Sequence, residues 1–353
     1  MKASAKGIGL AIIGGGRVGL FRGEVAARHP AVQWIGLAEK NPNRAGEVGP
    51  KISADFVTQS HIELLKRPEV TAAIICTDEH LHVDPIMAAV ERGIPMLIEK
   101  PLALTVKEAA NLVSIAEAAN VPLMVGLNFR YLAVTKEVMR LLSEGTVGKA
   151  AFGRFTYERY RDGNRPDLNK YPLRMDQPML WEQSIHHFDL MRYIYGQEPV
   201  LIQAKTWNPS WSMYQSDANV TAIITFNDGM IVNYQGTWQS GWAEPRFEWR
   251  TDCTNGIISQ KDQFGDLYFA RQAEPNLTAV PLPPHELWIT ETSGLLEAFL
   301  NTVIDGESLQ CSGRDHLMSL AMVEACAISS RESRSVTIAS VLPSEFGHFN
   351  PTS

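Results

Sequence analysis

The opening of the chain constrains it most. An apolar run from Gly7 to Ile13 enters Gly14-Gly15-Gly16-Arg17-Val18-Gly19 and leaves as a helical pattern, Val18 to Arg28, that Pro30 ends. This is G-x-G-x-x-G at a strand-to-helix turn, and each glycine has a steric reason. Gly14 permits the tight turn, Gly16 lets the backbone approach a pyrophosphate, and Gly19 lets helix and strand pack closely. The helix N-terminus adds N–H groups and a partial positive charge for phosphates. A second apolar run, Val32 to Ala38, ends at Glu39, 20 residues after Gly19. A carboxylate there binds the adenosine ribose hydroxyls. The pattern predicts dinucleotide binding by Gly14, Gly16, Arg17, Val18, Gly19 and Glu39. Like-charge repulsion between Glu39 and a 2′-phosphate favours NAD over NADP. Arg17, Lys40 and Arg44 are cations that keep NADP open as the alternative, and Lys40 joins the cofactor-binding candidates.

Three more apolar strand patterns follow, Val70 to Cys76, Met96 to Ile98 and Pro122 to Val125. Helical patterns alternate with them at His82 to Arg92 and Val106 to Ala119. Strands apolar nearly throughout, alternating with helices, imply a parallel sheet covered on both faces. After Gly126 aromatic and β-branched runs take over: Phe152 to Tyr160, Val200 to Trp207, Ala218 to Phe226, Met230 to Gln239 and Phe247 to Thr251. Val220, Ala222, Ile224 and Phe226 fall on one face, and Asn227-Asp228-Gly229 reads as a hairpin turn. Two helices are expected at Thr290 to Ile304 and Gly313 to Ser330. The expected fold class is α/β: a Rossmann dinucleotide-binding domain over residues 1–127, then an α+β domain over 128–353 on a mainly antiparallel open sheet.

The 353 residues and 45% apolar content give room for two cores. A net charge of −7 without any run of Lys and Arg argues against a nucleic-acid partner. Cys76, Cys253, Cys311 and Cys326 show no metal-type spacing, so no metal is expected, and they read as small residues in a reducing compartment. No apolar run reaches the roughly 18 residues of a spanning helix. A cytoplasmic protein with no membrane partner is expected.

Thr77-Asp78-Glu79-His80-Leu81-His82, Glu99-Lys100-Pro101-Leu102-Ala103, Val125-Gly126-Leu127-Asn128-Phe129-Arg130 and Glu182 to Asp189 resemble the Gfo/Idh/MocA oxidoreductases, the glucose–fructose oxidoreductase and inositol dehydrogenase family. The resemblance runs over nearly the whole chain, with Glu-Lys-Pro its most specific part. It implies an NAD(P)-dependent dehydrogenase or reductase acting on the CH–OH group of a sugar, polyol or related alcohol. It also implies a homodimer or homotetramer formed through the C-terminal sheet. Cofactor contacts carried over by the resemblance are Thr77, His80, Glu99, Lys100, Asn128 and Arg174, although Leu173 replaces the Trp of a Trp-Arg pair.

Lys100 has a physical case besides the resemblance. It follows a predicted parallel strand at its C-terminal end, where open α/β sheets place ligands, and Pro101 restricts its backbone. Its ammonium would stabilise developing alkoxide or relay a proton. Glu182 and His186, four apart on a predicted helix, share a face, so the carboxylate can orient the imidazole as a general base. The family usually has Asp at the Glu182 position and often Gly at the Ser184 position, and Asp176 to Leu180 replaces a glycine-rich stretch. Glu182 therefore either orients His186 or binds a substrate hydroxyl. The substrate-binding candidates are Lys100, Arg130, Glu182, His186 and, about 100° round the helix, His187. A dinucleotide-bound sensor and an NAD-dependent glycoside hydrolase remain the alternative functions.

Overall fold

Six parallel strands build the first sheet, in the order β3-β2-β1-β4-β5-β6. The computed structural model describes residues 7–166 and 168–346. Its first part runs β1 (Ile8–Ile13), α1 (Arg17–Ala27), β2 (Val32–Ala38), α2 (Pro42–Lys51), β3 (Phe56–Thr58), α3 (His61–Leu65), β4 (Ala72–Ile75), α4 (Val83–Glu91), β5 (Met96–Ile98), α5 (Val106–Ala118) and β6 (Leu123–Val125). β1, β4, β5 and β6 are buried at every position, which is why they read as unbroken apolar runs. Their C-terminal ends align: Ile13 pairs with both Ala38 and Ile75, Ile75 with Ile98, and Ile98 with Val125. The helix α2 escapes sequence patterning because Gly46, Gly49 and Pro50 depress its propensity. Asn41 nevertheless caps it, accepting from the N–H groups of Asn43 and Arg44, with Pro42 in the first turn.

The second sheet has nine strands, ordered β14-β13-β12-β11-β7-β10-β9-β8-β15. Its elements are α6 (Ala133–Ser143), β7 (Ala150–Glu158), α7 (Ile185–Tyr195), β8 (Pro199–Trp207), β9 (Asn219–Phe226), β10 (Ile231–Thr237), β11 (Arg246–Cys253), β12 (Gly256–Asp262), β13 (Gly265–Arg271) and β14 (Thr278–Ala279), with β15 (Val336–Thr337) added late. Pairing is antiparallel except between β7 and β10. The β9–β10 connection is the hairpin that Asn227-Asp228-Gly229 signals. Gly229 there has φ +89°, and Asp228 accepts from the Met230 N–H. Val220, Ala222, Ile224 and Phe226 are all buried, as their alternation requires.

Two long helices, α8 (Thr290–Asp305) and α9 (Gly313–Glu332), follow. One compact unit comprises the chain through Tyr131 plus Glu286–Leu317; the other comprises Leu132–His285 plus the chain from Met318. The single boundary expected at 127/128 is thereby corrected, because residues 286–317 return to the first unit. Arg130 explains the return: its guanidinium donates to the Gln310 carbonyl at 2.7 Å and to Asp315 at 2.5 Å. Gly294 lets α8 approach the turn after β6, since a Cβ there would lie 3.0 Å from that of Tyr131. A long-range ion pair and a close approach leave no periodicity in sequence. No helix among the described residues is long and apolar enough to cross a membrane.

Within the second unit a buried polar network fixes α7. Arg192, 3% exposed by side chain, donates to both carboxylate oxygens of Glu198, at 2.6 and 2.7 Å, and to Ser319 at 2.8 Å. Ser319 in turn donates to Asp189 at 3.0 Å. Arg192→Ala leaves two carboxylates without this cation, so it should destabilise the protein by about 3–5 kcal/mol. Urea unfolding followed by tryptophan fluorescence measures this, and a loss below about 1 kcal/mol would contradict the network's structural role.

Candidate active site and dinucleotide cradle

The aligned strand ends of the first unit set Gly14, Glu39, Cys76, Glu99 and Gly126 side by side at the sheet's C-terminal edge. Each extends the ladder by one bond: Gly14 N–H to Ala38, Glu39 N–H to Thr58, Cys76 N–H to Ile13, Glu99 N–H to Ile75 and Gly126 N–H to Ile98. Gly14 has φ +97°, and a Cβ there would sit 2.8 Å from the Cys76 carbonyl oxygen. At Gly19 a Cβ would meet the Gly14 carbonyl oxygen at 1.9 Å, so neither position accepts a side chain in this geometry. Gly16 is the opposite case. A Cβ there meets nothing within 4 Å, and Gly16 is the N-cap of α1 with no side chain capping the first turn. Uncapped N–H groups facing open space, with Val18 42% exposed beside them, form an anion cradle.

Glu39 is more than a ribose acceptor in waiting. It is buried; its Oε2 accepts from the Gly15 N–H at 2.7 Å and its Oε1 from the Asn41 N–H at 2.8 Å. The same carboxylate therefore locks the glycine turn, and each oxygen keeps a second lone pair for a hydroxyl. Arg44 lies 3.9 Å from Oε2, while Lys40 is exposed. The Arg17 guanidinium lies near the rings of Phe21 and Trp288, at 5.6 and 6.0 Å. On the neighbouring β4 loop the Thr77 hydroxyl is buried without a hydrogen-bond partner among the described residues. An open phosphate cradle, a hydroxyl-binding carboxylate and an unspent buried hydroxyl fit a dinucleotide.

Lys100 is half-buried, one residue past the ladder extension at Glu99, and the Lys100–Pro101 peptide is cis. Glu99, expected to bind the cofactor, is committed elsewhere: its Oε1 accepts from Arg22 Nε at 2.8 Å, with Arg22 Nη2 at 2.7 Å. It anchors the strand end to α1. Arg130, expected at the substrate, is corrected likewise, since its buried guanidinium holds Gln310 and Asp315. Asn128 is buried on the 3₁₀ turn Asn128–Tyr131 after β6, and His80 is exposed on the turn Glu79–Leu81. Sequence reading missed Arg22, whose signal is an arginine three residues after Gly19, on the same helical side. It also missed His82 and His316.

In the second unit Glu182 lies in a π-helical segment, Leu180–Ser184, that runs into α7. The expected continuous α-helix through Glu182 and His186 is thus corrected: Glu182 lies on a π turn with i→i+5 bonding, and His186 on the α-helix that follows it. Glu182 is half-buried and His186 buried. Arg174 is exposed at the end of the 3₁₀ turn Tyr171–Leu173, apart from the helix. His187 faces the other way and is corrected from substrate candidate to core residue. It is 1% exposed, with its ring 4.5 Å from that of Phe155 and 5.0 Å from that of Tyr157. Tyr234 donates its hydroxyl proton to Ser184 at 2.8 Å, and Ser184 donates to the Met179 carbonyl. The Tyr234 oxygen must then accept from His187 Nδ1–H, at 2.9 Å, which leaves Nε2 to accept from the Gln183 amide at 3.0 Å. Every proton in this chain has one place, and a second proton on His187 has none. Burial pushes its pKa down to about 3.

Two outcomes follow from this geometry. Gly19→Ala forces α1 off the turn and should weaken NADH binding, read by fluorescence titration, by about tenfold or more; an unchanged Kd would contradict the cradle. For His187 the folded pKa is depressed from the ordinary 6.5 to about 3. Below 6.5 only the unfolded chain takes the proton, so stability falls as pH drops through that window and is flat above it. His187→Asn should reduce the slope of unfolding free energy against pH between about 6 and 4 by up to about 1.4 kcal/mol per pH unit. An unchanged slope would contradict the neutral, buried imidazole.

Comparison with known proteins agrees with this geometry. Residues 8–127 match the oxidoreductase family with an NAD-binding Rossmann fold, and residues 135–259 match the GFO/IDH/MocA C-terminal domain. The chain is 24% identical over 318 residues to D-apiose dehydrogenase of Paraburkholderia graminis, covering 87% of this chain and 83% of that protein. It is 21% identical over 347 residues to inositol 2-dehydrogenase of Rhizobium meliloti, covering 93% and 98%. An oxidoreductase from Agrobacterium radiobacter, solved with NAD+, L-tartaric acid and magnesium, shares the fold at a TM-score of 0.86 and 20% identity, covering 95% of this chain and 99% of that one. With both domains matched in order along the chain, the protein belongs to the Gfo/Idh/MocA family of NAD-binding oxidoreductases.

Proposed function

We propose that this protein is an NAD-dependent dehydrogenase whose substrate is a carbinol carbon of a sugar or polyol. The observation that carries the proposal is the placement of Lys100 one residue beyond the sheet edge that also bears the glycine turn, Glu39 and Thr77. The names of the relatives, an apiose and an inositol dehydrogenase, point to the same substrate class. Glu39 supports NAD over NADP, because a 2′-phosphate would meet a buried carboxylate. The cofactor, when bound, supplies the hydride acceptor or donor.

The chain's own groups do the rest. The first turn of α1 holds the pyrophosphate through N–H groups, and Glu39 accepts from ribose hydroxyls. Lys100 Nζ stabilises negative charge on the substrate oxygen, and His186 takes the hydroxyl proton in oxidation or returns it in reduction. Glu182 orients His186 or accepts from a neighbouring substrate hydroxyl. A homodimer or homotetramer belongs to the same reading, supported by Phe152, Ile223 and Ile231, which leave one face of the large sheet 56%, 47% and 44% exposed at those positions.

A panel of pentoses, hexoses and inositols with NAD+ tests the reaction: net NADH with one of them is expected. Glycoside cleavage without net NADH, or a ligand-shifted melting temperature without either product, would contradict it. Lys100→Ala should lower kcat by about 10²–10⁴-fold while NADH affinity stays within a few-fold. Unchanged turnover in that variant would remove Lys100 from the mechanism.

A further inference from the structure

Leu102, two residues after Lys100, is held at both polar ends of its backbone by buried histidines. Its N–H donates to His316 Nε2 on α9 at 3.3 Å, and its carbonyl lies 3.0 Å from Nδ1 of His82. The other ring nitrogen of His82, Nε2, lies 3.0 Å from the Thr77 carbonyl in the β4 loop. Leu102 and His316 are 0% exposed and His82 is 1% exposed, so water cannot take over these bonds. One imidazole thus spans the loop after β4 and the loop after β5, which carries Lys100. Both loops belong to the same unit, and so does His316.

We propose that His82, with His316 behind it, is a positioning residue for Lys100: the pair clamps the Leu102 backbone and ties it to Thr77, so that the Lys100 loop and the cofactor loop keep a fixed spacing. This rests on the dehydrogenase reading for its kinetic consequence, but the clamp itself is a property of the protein without cofactor. A neutral imidazole has one N–H and two carbonyls here, so a second proton would complete both bonds. Burial pushes the His82 pKa below its ordinary value; the Leu102 and Thr77 carbonyls and the charges of Glu99 and Asp78 pull the other way. His316, across the Leu102 peptide, is an acceptor at Nε2 and so is unprotonated there. Neither histidine need touch substrate, and each acts through the loop it holds.

His82→Leu removes the imidazole that lies against both carbonyls, and His82→Gln restores a donor. A misplacement of about 1 Å in a reacting group costs about 10²-fold in rate. The expected result is therefore a kcat about 10²-fold lower in His82→Leu, with substrate KM and NADH Kd within a few-fold, and a recovery of about tenfold in His82→Gln. In the cofactor-free protein, hydrogen exchange should speed up at Glu99–Ala103 and at Thr77–Glu79 and remain unchanged in α5. His316→Leu, which loses the Leu102 N–H contact and leaves His82 in place, should show the same pattern more weakly and serves if His82→Leu does not fold. A kcat within threefold of wild type, a loss proportional to the folded fraction, or faster exchange spread over the whole unit would overturn the clamp. If the wild-type protein produces no NADH from any polyol, the dehydrogenase reading fails, and the exchange pattern alone decides the clamp.

Discussion

The structure depends first on the in-register ending of β2, β1, β4, β5 and β6. Because those strands stop at the same level, the residues after them form one row: Gly14, Glu39, Cys76, Glu99 and Gly126. What the first unit offers a dinucleotide lies on that row or in the loops that leave it. A one-residue slip in any strand would move its loop by about 3.3 Å and invert its facing. Such a sheet edge is a scaffold for ligands only while its loops are rigid, and much of the polar structure around it serves rigidity.

Glu39 accepts from the glycine turn, Arg22 holds Glu99, Arg130 holds Asp315 and the Gln310 carbonyl, and His82 spans two loops. Each is a buried side chain that faces backbone or an opposite charge, which lowers the cost of burying polar groups. In the second unit the chain from Gln183 through His187, Tyr234 and Ser184 to Met179 follows the same rule with neutral groups. Here Ser184 has a definite job that glycine could not do, since it receives the Tyr234 hydroxyl and closes the chain.

The glycine turn, Glu39, five of the six parallel strands and the β9–β10 hairpin were legible in sequence because each is local; the short β3 was not. A turn, an alternation or a fixed spacing leaves its mark within twenty residues or so. What sequence reading misjudged is long-range. Glu99, Arg130 and His187 have residue types suited to a site, and only their partners, Arg22, Asp315 and Tyr234, show that they are engaged in structure. The return of residues 286–317 to the first unit and the π segment at Glu182 are likewise set by packing rather than by propensity. Lys100, His186 and Glu182 are the residues to which the proposed chemistry is assigned, and His82 is proposed beside them for what it holds.

The central claim is that this row of loops serves hydride transfer to or from a carbinol carbon. It is tested most directly by following the hydrogen itself. Candidate polyols carrying deuterium at each carbinol carbon are incubated with the protein and NAD+, and the reduced cofactor is examined by mass spectrometry and NMR. The account predicts deuterium on one face of nicotinamide C4 for a single labelled position of a sugar or polyol. Reduced cofactor without deuterium from any labelled position, or bound cofactor that is never reduced across the panel, would contradict it.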